Sequence, residues 1–538
     1  MLTRMVEMRD GVRLATDIHM PPGAAPGARF PVIVERTPYG RADISGSEVS
    51  ADRSEPLTRR ALAEIMARRG YAVVMQDVRG RGGSDGAFAK YVNEAEDGVD
   101  CFDWILQQEW CDGRICTMGL SYGAHTQLAA AVGGARGIAT MAIDTGGLMD
   151  LWRHSLRLGG GFELKQVTWA FRHAAKALRA KGQEADAETL EQTDIRHAIL
   201  HGDWRAGYSP LAVAPEYEAT LLHMWALCPQ DTELCGAATH AAGHFDRFPD
   251  VPVLLTGSWF DPYASNMLQM AAAIAKRNTA PLRQIMGPWL HGRRSTGQVG
   301  AADFGHAATL DAVAGRDWIR LRLDWFDHAL GRGPMPLAHD LFYEMTPARP
   351  PAWPHMGGHW RPTMPDGPTG DALPWRIPQS PVPLTFDPDQ PFPTLGGGVT
   401  SGGTLMAGGM FDHRTAETTL RARAAVLTSG RLARPYTLAG ALELTFEVEQ
   451  VTPAGPVDVS VFVMMRTSDG ALVNVTDGFL RLAPGAGGGT LQTLASYLTV
   501  PAGAEVLLFL STANFPRIDF ARKEGYSLQL RITKITQG

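Results

Sequence analysis

The sequence predicts an α/β protein: a largely parallel sheet covered by helices, interrupted by a helical insertion and followed by an all-β domain. Three observations carry this. Short apolar strands alternate with helical patterns up to about residue 145, and the same alternation returns after about residue 250. From about residue 340 it gives way to alternating Val, Thr and Leu segments punctuated by Gly, Pro and Asp. A chain of 538 residues also exceeds one core of ordinary size and suits roughly two to four domains.

In chain order, strands are expected at Pro31 to Val34, Tyr71 to Met75, Ile115 to Met118 and Ile138 to Ile143. Between them, Leu57 to Arg69 and Glu94 to Gln108 carry apolar residues at helical spacing, the first stopping at Gly70 as a helix C-terminus does. Residues 145–240 read as a helical cap rich in aromatics, most of which belong to its own core. The sheet resumes with Val251 to Thr256 and Leu282 to Met286, accompanied by helices at Tyr263 to Ala275 and Trp318 to Leu330. The division is therefore 1–144, cap 145–240, 241–340, and a β domain 341–538. The β domain opens with a proline-dense run from Pro347 to Pro393. Its strands at Leu442 to Val448, Val457 to Met465, Leu472 to Leu482 and Val506 to Leu510 suit a sandwich or jelly roll.

Composition excludes several functions. With 45% hydrophobic and 20% charged residues and a net charge of −6, the chain has no basic field for nucleic acid. Nothing approaches 18 uncharged apolar residues in a row, and the first ten residues lack the apolar run of a secretory signal, so no membrane partner is expected. Five cysteines without a Cys-x-x-Cys pair suit a reducing compartment, and the expected location is cytoplasmic. No metal or cofactor is expected. His240 and His244 have ligand spacing, but Ala-Ala-Gly lies between them, with no glutamate. The glycine-rich Gly80 to Gly86 carries Asp85 where a nucleotide-binding loop needs its third glycine.

Chemistry centres on Gly119-Leu120-Ser121-Tyr122-Gly123, a Gly-x-Ser-x-Gly placed between an apolar strand and an Ala-rich helix. That context describes a nucleophile elbow, in which the strand turns sharply into the helix and bare neighbours leave room for a strained serine. A serine hydroxyl needs a base and a group that orients the base. In α/β-hydrolases these follow in the order acid, then histidine, in loops after later strands. Asp261 follows the strand Val251 to Thr256, and His291 follows Leu282 to Met286. The backbone N–H of Tyr122 is one oxyanion donor; the loop from Glu35 to Arg41 offers a second, either a backbone amide or the phenol of Tyr39.

The chain resembles the CocE/NonD family of serine hydrolases over nearly its whole length. The likeness rests on Met8 to Asp17, Arg36-Thr37-Pro38-Tyr39, Asp77 to Gly86, Glu94 to Gly98, Trp110 to Arg114, Gly119 to Gly123, Gly287-Pro288-Trp289-Leu290-His291 and Phe411 to Arg414. The resemblance implies an α/β-hydrolase fold with an inserted helical cap and a C-terminal jelly roll. It implies Ser121, Asp261 and His291 as catalytic residues, with the Tyr39 hydroxyl and the Tyr122 amide as oxyanion hole. It also makes Trp152, Phe162, Trp169, Tyr263, Leu405 and Met406 candidates for an apolar acyl pocket.

The implied activity is cleavage of a small carboxylic ester or amide through an acyl-enzyme. Members that take free α-amino esters hold the ammonium with carboxylates, two of them just after the triad aspartate; here Tyr263 and Ala264 stand there, which disfavours that activity. Arg153 and Arg157 leave open a carboxylate-bearing acyl group, as in glutaryl or β-lactam-type acylases. An acyltransferase or cyclase would carry the same triad, and a catalytically silent binding protein is disfavoured by it. A homodimer is a further expectation.

Overall fold

The computed structural model of the protein describes residues 1–365 and 373–537, so residues 366–372 of the proline-dense run lie outside the described residues. Seven parallel strands lie side by side in the order Ala72–Asp77, Phe30–Thr37, Cys111–Leu120, Ile138–Asp144, Val253–Phe260, Leu282–Leu290 and Leu341–Ala352. Every residue of Ala72–Asp77 and of Val253–Phe260 is buried, as continuous apolar strands covered on both faces must be. Two antiparallel strands absent from the sequence expectation, Leu2–Glu7 and Arg13–His19, extend the sheet beyond Ala72–Asp77. The strand order reverses at Phe30–Thr37, which opens a crevice beside Cys111–Leu120 at the strands' C-terminal ends.

Local signals explain the covering helices. Arg59–Arg68 starts where Thr58 Oγ1 accepts from the Ala61 N–H at 3.1 Å, and the chain leaves it through Gly70 at φ +92°. The insertion is helical, with Lys165–Ala180, Glu184–Gln192, Ile195–His201 and Pro215–Ala226 enclosing a core of their own. No helix among the described residues is long and apolar enough to cross a membrane.

The C-terminal part holds two four-stranded antiparallel sheets. One contains Val382–Phe386, Tyr526–Gln537, Leu442–Thr452 and Gly488–Gln492; the other contains Ala425–Arg431, Glu505–Ser511, Val457–Arg466 and Leu472–Leu482. Leu444, Phe446 and Leu530 of the first join Val459, Val461 and Leu508 of the second in one buried cluster, which continues into Met267 and Met270 of the helix Ala264–Arg277. The β sheets are thus packed on the half of the molecule that holds the parallel sheet.

The strand Leu341–Ala352, assigned from sequence to the β domain, runs parallel to Leu282–Leu290 and so belongs to the central sheet. The prolines in this stretch break the apolar pattern by which the sequence announces a strand. On its far side it pairs with His355–Arg361, and Met345 meets Leu498 of a further strand, Ser496–Val500, which runs antiparallel to Tyr436–Gly440.

Candidate active site

Ser121 sits where Cys111–Leu120 turns into the helix Tyr122–Gly133, at φ 60° and ψ −114°. A positive φ is uncommon for a non-glycine residue and stores strain that the surroundings must hold. Two hydrogen bonds and a bare neighbour hold it. The Ser121 N–H donates to Asp144 O at 2.9 Å, and the His125 N–H donates to Ser121 O at 3.0 Å. Gly119 takes φ +148°, and a Cβ there would lie 2.7 Å from the Gly123 backbone. The second motif glycine is less constrained than the sequence argument supposed: a Cβ on Gly123 would find its nearest atom, Arg36 O, at 3.6 Å.

Because the helix begins directly behind Ser121, the Tyr122 N–H is among the first-turn amides without an intrahelical partner, and it carries the positive end of the helix dipole. The Tyr122 side chain is committed elsewhere: its hydroxyl donates to Glu94 Oε1 at 2.8 Å and accepts from the Tyr91 N–H at 2.9 Å. Burial holds that phenol well above its ordinary value. Tyr39, in the loop after Phe30–Thr37, lines the same cavity as Ser121, its ring edge-on to that of Tyr122 at 6.5 Å.

Asp261 follows Val253–Phe260 directly and is fully buried. Its Oδ1 accepts from the Tyr263 N–H at 2.9 Å, and its Oδ2 meets His291 Nδ1 at 2.6 Å. With Nδ1 so engaged, the second ring nitrogen remains for the cavity that His291 shares with Ser121. Among the described residues Ser121 Oγ makes no hydrogen bond; such contacts are often loose in a free enzyme and tighten with substrate. The arrangement brings together a hydroxyl, an imidazole fixed by a buried carboxylate, and a helix N-terminus.

The cavity has a volume of about 660 Å³. Of the expected pocket residues, Met406 lines it and the other five do not. Trp152 lines a separate cavity of about 450 Å³ at the seam of cap and β sheets. Phe162 is fully buried and stacked on Trp225, and Trp169 is packed between Phe88 and His173. Tyr263 is buried edge-on to His291, and Leu405 packs into the cap core. Aromatics on the cap were claimed by its own core because four short helices need them to exclude water. The arginines read as acyl-carboxylate binders are displaced too. Arg153 is exposed beside Asp150, and Arg157, which donates to Trp225 O at 2.7 Å and lies over the Trp152 ring, faces the seam cavity.

The cavity wall holds residues that the sequence did not single out, among them Arg172, His173 and Lys176 of the helix Lys165–Ala180 and Arg293 two positions after His291. Burial and the surrounding cations push His173 down to about 2, and neither of its ring nitrogens has a hydrogen-bond partner. No group of three or more His, Cys, Asp or Glu side chains that could hold a metal is found among the described residues. His244 instead shares a hydrogen bond with Cys235 O, at 2.9 Å.

The profile of the X-Pro dipeptidyl-peptidase (S15) family matches residues 10–293. Cocaine esterase of Rhodococcus sp. (strain MB1 Bresler) is 30% identical over 315 residues, 57% of this chain and 51% of the esterase. This chain's match thus spans about half the length of that relative. Among solved structures, an aminopeptidase from a marine sediment Thaumarchaeota archaeon superposes with a TM-score of 0.73 at 19% identity, covering 99% of this chain and 95% of that one. A CocE/NonD family hydrolase from Staphylococcus aureus gives 0.61 at 14% identity, covering 99% and 91%. The structural likenesses speak for a shared fold, and with the family match they agree with the resemblance read from the sequence motifs.

Proposed function

This chain belongs to the X-Pro dipeptidyl-peptidase (S15) family, and from that premise we propose that it is a serine hydrolase cleaving a small carboxylic ester through an acyl-enzyme. The observation that carries the reading is the 2.6 Å contact between buried Asp261 and His291, set in the same cavity as a strained Ser121. The ester chemistry is supported by the likeness to cocaine esterase.

In this reading the Ser121 Oγ attacks the carbonyl carbon while its proton passes to the free ring nitrogen of His291. Asp261 stabilises the imidazolium and keeps its proton at Nδ1. Negative charge gathers on the carbonyl oxygen, where the Tyr122 N–H and the Tyr39 hydroxyl donate. The carbon–oxygen bond then breaks, and His291 returns the proton to the departing alkoxide. Water repeats the sequence on the acyl-enzyme and restores Ser121. The cavity carboxylates do not favour an ammonium-bearing substrate: Glu35 is bound to Arg59 at 2.9 Å and Glu48 to Arg322 at 2.5 Å. We place the reaction in the cytoplasm, supported by thiols left free both inside the protein and, at Cys228 and Cys235, on its surface.

The test is Ser121→Ala with 4-nitrophenyl esters and a fluorophosphonate label. The expected result is loss of labelling and a fall in kcat of roughly 10⁶-fold, the scale seen when a nucleophilic serine is removed. Wild-type rates in the variant would refute the assignment.

A further inference from the structure

The chain is net acidic, at −6, yet the cavity above Ser121 is walled by cations. Its two carboxylates, Glu35 and Glu48, are each neutralised by a buried arginine. Arg172 on the cap and Arg293 in the loop after Leu282–Leu290 are exposed on the same cavity, and neither makes an ion pair among the described residues. One turn along from Arg172, Lys176 divides its ammonium between Asp43 at 2.6 Å and the Tyr39 carbonyl at 3.1 Å. Behind this wall stand two further basic groups without a carboxylate, both held below their ordinary values by burial, Lys90 strongly so. Arg81 donates to Pro38 O at 3.1 Å, and Lys90 donates to Gln166 Oε1 at 2.7 Å while lying 3.7 Å over the Trp169 ring. His173 lies in the midst of them; burial first, and after it Arg172, Arg81, Lys90 and Lys176, hold its imidazole below its ordinary value.

Cations that face a cleft with low-dielectric walls focus their field into it and concentrate anions there. A guanidinium also matches a carboxylate in shape, donating two parallel hydrogen bonds. We propose that the Ser121 site takes esters whose acyl or leaving group carries a carboxylate, with Arg172 and Arg293 as the residues that bind it. The inference rests on the reading of Ser121 as nucleophile. It differs from the sequence expectation in both respects: the pocket is not apolar, and the anion-binding arginines are not Arg153 and Arg157. The carboxylate takes no part in bond making; it orients the ester and raises its local concentration.

The experiment uses two matched pairs of substrates with the full-length protein at low ionic strength. In the first, 4-nitrophenyl hydrogen glutarate is set against 4-nitrophenyl 5-methylhexanoate, in which an isopropyl group replaces the carboxylate. In the second, 4-acetoxybenzoate is set against 4-isopropylphenyl acetate. The pair that responds tells which half of the substrate bears the charge. In that pair kcat/KM for the anion should exceed that of its neutral partner about tenfold or more, and added salt should shrink the ratio. Arg172→Gln and Arg293→Gln should each cut the ratio several-fold, and Arg172→Lys should restore part of it, because lysine keeps the charge and loses the fork. Both arginines are exposed, so folding is not at stake. Ratios of one or less in both pairs, or a preference that both Gln variants leave intact, would overturn the proposal while leaving Ser121 in place. Turnover that survives Ser121→Ala would instead remove the reading beneath it.

Discussion

Two neighbouring strands of the central sheet, Ile138–Asp144 and Val253–Phe260, each place a carboxylate at the sheet's C-terminal edge, one on the last strand residue and the other just beyond it. Asp144 and Asp261 are both almost wholly buried, at 3% and 0% exposure. Their partners differ. Asp144 faces Arg294, itself buried, and accepts a further bond from Thr145 Oγ1 at 2.6 Å. Asp261 faces His291. An arginine never gives up its proton at any pH a protein meets, so the Asp144 pair is a fixed brace beneath Ser121, whose N–H donates to the Asp144 carbonyl. Asp261 instead holds an imidazole by one ring nitrogen and leaves the other toward the cavity of Ser121, the arrangement that the proposed acyl transfer requires. Position in the fold makes both carboxylates available; in the proposed mechanism the partner decides which one serves the reaction.

Replacing the carboxylates one at a time sharpens this contrast, and the larger effect is expected at Asp261. Asp261→Asn keeps the shape and removes the charge that holds the imidazole tautomer, so kcat should drop about 10⁴-fold with the melting temperature little changed. Esterase assays beside thermal melts read both. Asp144→Asn should invert the pattern. It strands the Arg294 charge in the interior, a loss of about 3–5 kcal/mol in stability, while kcat per active site, counted by covalent titration, stays within about tenfold of wild type. If Asp144→Asn proved the more damaging to kcat at full stability, Asp144 would be the better candidate for the triad acid and the comparison would be reversed.

The same contrast explains what is legible in the sequence. Ser121, Asp261 and His291 stand out because backbone geometry constrains them: a bare Gly119 at a sharp turn, and loops that begin where apolar strands end. The helices Glu94–Leu106 and Trp318–Ala329 are legible for a similar reason, since their 3.6-residue pattern is local. Partnerships across long separations are not. Arg294 lies 150 residues beyond Asp144, and Phe162 finds its stacking partner Trp225 at the far end of the cap, so neither the brace nor the aromatic core announces itself. An aromatic on an amphipathic cap reads equally as core or pocket, so the sequence alone does not tell that Trp152, Phe162 and Trp169 lie off the wall of the Ser121 cavity while Arg172 and His173 lie on it.

A smaller effect extends the comparison from carboxylates to histidines. His291 has a carboxylate partner, whereas His173, across the cavity on the cap helix, has none. Burial comes first among the causes that hold His173 at about 2, against about 6.5 for an unfolded chain. Between those values the unfolded state binds a proton that the folded state refuses, so stability from this residue is complete above about pH 6.5 and is lost as pH falls below it. The slope from one such group approaches but does not exceed about 1.4 kcal/mol per pH unit. His173→Phe keeps a ring between Tyr39 and Trp169 and deletes the titration. Melting temperatures followed from pH 7.5 down to pH 4.5 should fall more steeply for the wild type than for the variant. Equal slopes would mean that His173 accepts its proton in the folded protein, and that the two walls of the cavity differ less in their treatment of histidine than the structure indicates.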